Sequence, residues 1–181
     1  HQVGHCSRCG TVVEPRLSDQ WFVAVRQLAH KAATAVREGR ITFVPESRTK
    51  PFLEWLDNLH DWCISRQIWW GHRIPAWYGP DGQIEVSRED IDREGWVQDE
   101  DVLDTWFSSQ LWPFTVFGWQ EPGDATPELD TWYPTSILET GYDINTFWVS
   151  KMLMIGLWFL DEVPFRVIWN HGMVRDQHGK K

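Results

Sequence analysis

A chain of 181 residues can bury a real core and suits one domain, with room for a small appendage. Its 17 Lys and Arg against 26 Asp and Glu give a formal charge of −9, which argues against a large phosphate-binding face but leaves room for a local basic patch. Three cysteines, two of them spaced Cys6-x-x-Cys9, do not make a disulfide framework and fit a reduced, cytoplasmic protein.

Residues 1–20 read as a lead-in, with HCSRCG a tight turn and TVVEP a short strand stopped by Pro15. From Ser18 the pattern turns helical. Phe22, Val25, Ala29, Ala32 and Val36 fall on one stripe, and Gly39 marks the stop. Ile41 to Pro45 is the next strand. Pro51 opens a second helix whose apolar positions Phe52, Trp55, Leu56, Leu59 and Trp62 keep three-and-four spacing, placing Cys63 on its apolar face as a small core residue. Ser65 to Gly71 leaves that helix. The turn residues of GPDG, 79–82, make a hairpin of 74–86. Residues 87–101 are acidic and expected to be exposed. Trp106, Phe107, Trp112, Phe114 and Phe117 predict one aromatic cluster, and 121–131 a polar loop.

The chain is organised around Ser136 to Leu160. Ile137 and Leu138 read as a buried strand, Thr140-Gly141-Tyr142 as a turn, and Asp143 as the N-cap of a long helix. The apolar run 144–160 is at the short limit for a membrane span and contains Asn145, Lys151 and Gly156, so it predicts a helix packed on both sides in a protein without a membrane segment. A second strand, Arg166 to Trp169, ends in the turn Asn170-His171-Gly172. Strand, turn, helix, strand, turn is a parallel βαβ unit, and ligands bind such sheets at the carboxyl ends of the strands. TGYD and NHG then form one half of a nucleotide cleft. No basic leader opens the chain, which begins at His1 and ends on Gly179-Lys180-Lys181; it reads as a piece of something longer.

Fourteen tryptophans are the unusual feature of the composition. Most are expected in the core, because an indole fills volume whatever the function. Trp70, in RQIWWGHRIP, and Trp106, in DVLDTWFSS, stand instead in turn-like settings beside polar groups, where flat rigid walls suit a pocket for a small branched aliphatic group. Ser108 and Ser109 have no legible His–Asp partner and read as turn or cap residues.

SRQIWWGHRIPAWY, DVLDTWFSSQLWPF, ETGYDINTFW and HGMVRDQHGKK stand in the order they hold in the class I aminoacyl-tRNA synthetases of the valine, isoleucine and leucine group. The chain resembles that family over essentially its whole length, and its motif combination is most similar to the valine-specific members. The resemblance implies an α/β fold: the second half of a Rossmann-type catalytic domain, a parallel sheet with packed helices and a small hairpin appendage. Residues 1–17 would return from the editing insertion and 18–181 form the catalytic half. The HIGH motif and editing domain would lie upstream and the anticodon-binding domain downstream. Lys181 would be the first residue of the KMSKS loop, so the piece alone is expected to be inactive.

By the same resemblance, Trp70 and Trp106 flank the amino-acid side chain. Thr140, Gly141, Asp143 and Ile144 meet the ribose and the substrate's amino end, with Asp143 able to accept both ribose hydroxyls. His171, Gly172, Met173 and Val174 cradle adenine, though a backbone-bonded core histidine is an equally good reading of His171. The partners implied are valine, ATP with Mg2+ and tRNA(Val). The chemistry is adenylation followed by acyl transfer, which relies on positioning and charge more than on a protein nucleophile. An indole-walled pocket excludes larger side chains but cannot strongly reject threonine, a limit of which valine-activating synthetases are themselves the standard example. Cys6 and Cys9 form half a zinc site, with His1, His5 and Cys63 as the other soft donors. Glu139, Asn145-Thr146 and Trp169-Asn170 depart from the family's pattern. Two other readings predict different things. A Trp-rich carbohydrate-active domain would use Asp101 and Asp104 as acid and base in a β-rich fold, and a non-catalytic module would keep the synthetase fold for binding alone.

Overall fold

The computed structural model describes residues 3–6, 9–14 and 16–181. In chain order the elements are β1 (Phe22–Val23), α1 (Arg26–Arg37), β2 (Thr42–Val44), α2 (Thr49–Asp57), β3 (Trp62–Cys63), β4 (Ser65–Arg66), β5 (Ala76–Tyr78), β6 (Ile84–Val86), β7 (Val97–Gln98), β8 (Val102–Leu103), α3 (Thr105–Ser109), α4 (Trp112–Thr115), α5 (Pro127–Trp132), β9 (Thr135–Gly141), α6 (Ser150–Phe159) and β10 (Phe165–His171).

The central sheet is parallel, in the order β2-β10-β9. Its register aligns Phe43, Ile168 and Leu138 across the three strands, and all three are buried under the helices. Ala29, Ala32, Ala33 and Ala35 line α1, and these small side chains let it lie close against Met152, Leu153, Met154 and Leu157 of α6 within one core. Phe52 and Leu56 of α2 close that core. The next register row, Val44, Trp169 and Glu139, faces away from the helices and is exposed, as is Ile137. One sheet face is therefore packed and the other bare.

The βαβ unit predicted from the sequence is present, but its helix does not start as expected. A 3-10 turn at Tyr142–Ile144 and a π turn at Asn145–Val149 precede α6. Asp143 caps nothing: its carboxylate pairs with Lys181 instead. The helix expected from Ser18 begins only at Arg26, because Phe22 and Val23 pair antiparallel with Cys63 and Trp62. For the same reason the second helix ends at Asp57, and Trp62 and Cys63 are strand residues. The Cys63 thiol is half-buried beside Gln20 and Ser65, not on a helix face.

The 74–86 hairpin forms as β5–β6, and β7 adds a third strand on the other side of β5. The acidic stretch 87–101 is thus not all surface. Asp99 is buried and accepts from the Tyr78 hydroxyl at 2.6 Å and the Trp21 indole N–H at 2.8 Å, tying the lead-in segment to this small sheet. The expected loop 121–131 contains α5, started by Pro127 and capped by the Thr126 hydroxyl, 3.0 Å from the Leu129 N–H. The aromatic residues split up. Phe114 packs with Trp119, Tyr133 and Phe159, while Phe107 meets Trp62, Trp106 meets Phe147 and Trp112 meets Trp148. No helix among the described residues is long and apolar enough to cross a membrane.

Candidate active site

β9 and β10 end side by side, with Asn170 opposite Thr140 and His171 opposite Gly141. The two small-residue turns therefore meet at the carboxyl edge of the sheet, where a parallel βαβ unit receives its ligands. Thr140 and Gly141 are buried, and Asp143 and Ile144 are half-buried on the adjoining 3-10 turn. A methyl group on Gly141 would lie 2.6 Å from Asp143 Oδ1 and 2.7 Å from Met173 Cε. A side chain there would have to displace the ends of Asp143 and Met173, one from each turn.

On the β10 side, His171, Gly172 and Val174 are exposed, and Met173 is half-buried over Gly141. The His171 ring is bonded to backbone, with Nδ1 2.8 Å from the Gly172 carbonyl oxygen, but it is not a core residue. Open space surrounds the missing side chain of Gly172, so a planar group can approach its backbone. Arg48 places its guanidinium 4.0 Å from the centre of the Tyr142 ring, a cation–π contact that props the first turn from outside. Eight of the site residues expected from the sequence, Thr140 to His171 to Val174, thus gather at one edge. Lys181 reaches the same edge through Asp143.

The two indoles do not stand together. Trp106 lines a cavity of about 500 Å3 with Trp55, His60, Trp62, Phe147 and Lys151. Its ring stacks on Phe147, with centroids 6.2 Å apart and planes 20° apart. Trp70 is 92% exposed and is not among the residues lining that cavity.

Asp104 sets Trp106. One carboxylate oxygen accepts the Trp106 N–H at 3.0 Å as the N-cap of α3, and the other accepts the Trp62 indole N–H at 3.0 Å and an Arg66 N–H. Both oxygens are thus engaged in holding local structure, and the parallel sheet does not suit a β-rich carbohydrate domain. Lys151, 4% exposed, holds its ammonium 4.0 Å from the centre of the Trp62 ring in the wall of the same cavity. Burial lowers this lysine to about 8, while the Asp104 charge acts in the opposite direction. The sequence flags Lys151 only as a charge inside an apolar run. The Asp-x-Trp spacing of an N-cap was the available signal for Asp104.

Ser108 donates to the Thr105 carbonyl at 3.2 Å, and Ser109 Oγ is buried without a partner; no histidine bonds to either. Cys6 and Cys9 belong to a tight turn closed by the Gly10 N–H on the Cys6 carbonyl at 2.9 Å. Residues 7 and 8 of that turn, Pro15 of the expected TVVEP strand, and His1 lie outside the described residues. Hydrogen bonding to Thr11 lowers the exposed Cys9 thiol to about 7. His5 Nδ1 is 2.8 Å from the Gly10 carbonyl oxygen, and no group of three or more His, Cys, Asp or Glu gathers as a metal site among the described residues.

This edge and its sheet define a class of protein. The model of the class I tRNA synthetases (I, L, M and V) matches residues 9–94 and 88–181, and the chain belongs to that family. Its curated relatives include the valine--tRNA ligases of Streptomyces coelicolor, 57% identical over 185 residues, and Thermotoga maritima, 52% identical over 188. Both alignments cover 100% of this chain, which spans about 21% of each ligase. Among solved structures, Mycobacterium tuberculosis methionyl-tRNA synthetase bound by methionyl-adenylate shares the fold, with a TM-score of 0.64 at 19% identity, covering 99% of this chain and 31% of that one. An Agrobacterium radiobacter leucyl enzyme in a ternary complex with tRNA matches at 0.54 and 20% identity, over 68% of this chain and 20% of its own.

Proposed function

We propose that this segment works as part of a valine--tRNA ligase, which joins valine to ATP as valyl-adenylate and passes the valyl group to the terminal adenosine of tRNA(Val). The observation that carries the reading is full-length similarity to valine--tRNA ligases, at up to 57% identity, in a chain whose two turns meet as a nucleotide cleft would require. In this reading residues 18–181 are the second half of the catalytic domain, and residues 1–17 lead in from the editing insertion.

Asp143 would accept the ribose hydroxyls once Lys181 is drawn off to the ATP phosphates. Thr140, Gly141 and Ile144 shape the floor beneath the adenylate, while His171, Gly172, Met173 and Val174 receive adenine on their exposed backbone. Trp106 gives one wall of the valine pocket, and Trp70, exposed here, gives the second when the rest of the ligase covers it. Mg2+ would travel with the ATP phosphates. Nothing in the site calls for a protein nucleophile; orientation and charge placement supply the rate. By itself the segment would be inactive, and its bare sheet face would favour self-association. The reaction would run in the cytoplasm.

The test is valine-dependent ATP–pyrophosphate exchange by the ligase containing this segment. Exchange with valine, weaker with threonine and absent with isoleucine, is expected, and Trp106→Ala should erase that order. Exchange driven best by a different amino acid would overturn the valine reading.

A further inference from the structure

Beneath the two turns, the sheet and the helix entry are joined by a buried pair of amides. Asn145 and Asn170 are 6% and 7% exposed, with the apolar Leu138, Val149 and Ile168 close by in sequence and buried. The Asn145 side-chain N–H donates to Asn170 Oδ1 at 2.8 Å, and the Asn170 N–H returns the bond to Asn145 Oδ1 at 3.0 Å. The same Asn170 amide nitrogen donates to the Thr140 main-chain carbonyl at 3.3 Å. One side chain therefore grips the end of β9, the end of β10 and the start of the π turn.

We propose that Asn145 and Asn170 are positioning residues that fix the spacing of the two nucleotide-binding turns, and so set ATP affinity. The proposal rests on the synthetase reading above. Asn145 directly follows Ile144, and Asn170 directly precedes His171, so each amide sits one residue below a stretch assigned to the nucleotide. The ladder sets the register of β9 and β10, but the 3-10 and π turns that follow β9 pack on the core through apolar side chains such as Val149, and burial is non-directional. Reciprocal amide bonds are directional and short in reach, so they admit one spacing. Buried polar pairs of this kind act as a unit, and each member left alone is a desolvated group without a partner. Neither residue touches the nucleotide; both act through Thr140 and His171.

The sequence singles out both positions as departures from the family's pattern, and the structure shows that they answer each other. An apolar residue at either position would strand the opposite amide. Apolar residues at both would leave the strand ladder and a packed core, with no side-chain hydrogen bond from the helix entry to the strand ends.

The experiment uses the full ligase containing this segment, with Asn145→Leu, Asn170→Leu and the double variant. ATP binding is read by calorimetry, KM for ATP and for valine by pyrophosphate exchange, and folding by thermal melting. Each single variant should melt lower than wild type, and the double variant should recover much of that loss, since no amide is stranded. ATP affinity should stay about tenfold weaker in all three, the loss of roughly one directional hydrogen bond, while KM for valine changes less than twofold. A double variant that folds and binds ATP with unchanged affinity would overturn the proposal. Equal increases in both KM values would overturn it as well, by pointing to general loosening. If the wild-type ligase prefers another amino acid, the valine reading fails, and the comparison of ATP affinities still decides the role of the pair.

Discussion

Lys151 is the residue whose setting is most at odds with its chemistry. It sits within α6 among buried neighbours, faces the Trp62 ring and has no hydrogen-bonded carboxylate. Its folded-state value of about 8 lies below the usual 10.5, so the unfolded chain binds more protons between those limits. Stability should therefore rise as pH is raised from about 8 towards 10.5, and below 8 the full cost of burying the charge is felt. Lys151→Met removes the charge at similar length and should remove this rise, so the gap in melting temperature between variant and wild type narrows from pH 7 to pH 10. A gap that stays constant with pH would show that the ammonium is solvated. This residue was visible in the sequence as a lone charge in an apolar run, but its partner was not. Trp62 lies far off in the chain, and the sequence placed it on a helix. The setting of Asp104, named from the sequence only within the carbohydrate alternative, was hidden for a related reason: its bond to Arg66 joins residues 38 apart, and only the pairing of β4 with β8 brings them together.

Elements were legible where one periodicity ran without competition. α1, α2 and the βαβ strands appear at the expected places, because apolar spacing and a packed core agree there. Boundaries failed where two-residue strands intervened: β1 and β3 are too short to show alternation, and each cut back a predicted helix. The start of α6 failed differently. Asp143 had the right identity for a cap, but its neighbours form 3-10 and π turns that point it at Lys181. Within α6, Gly156 marks a tight approach. A methyl there would lie 2.8 Å from the Tyr133 hydroxyl, which donates to the Glu162 carbonyl at 2.9 Å. Gly156→Ala should cost about 1–2 kcal/mol, overpacking outweighing its gain in helix propensity. In a Tyr133→Phe background the hydroxyl is gone, and the same change should cost less, the remaining close contact being Pro164 Cδ at 3.3 Å. Denaturant melts of the four proteins give the coupling; simple additivity would refute this account of the contact.

For the whole molecule, the main fact is a parallel sheet covered on one face only. Parallel sheets are ordinarily covered on both. Val44, Ile137 and Trp169 are 36%, 53% and 49% exposed on the open face, and β9 pairs with β10 alone among the described strands. The isolated chain should therefore associate as its concentration rises. Trp169→Lys, at an exposed position, should weaken association without lowering the melting temperature, as read by sedimentation velocity. A wild-type chain that stays monomeric across the micromolar range would sink this expectation. The place of this open face was not legible in the sequence, because strand order is a property of three dimensions.

That strand order has a consequence for synthesis. β2 occupies the outer edge, β9 the opposite edge, and the strand between them, β10, is the last to be made. Within this segment, β2 is made well before β10, its partner among the described strands, and β9 is separated from β10 by α6. Among the described strands neither edge strand gains its neighbour until Phe165–His171 clears the exit tunnel, and the two turns come together only then. The meeting of the two turns is thus completed by the last strand of this segment, after its helices and small antiparallel pairs have been made.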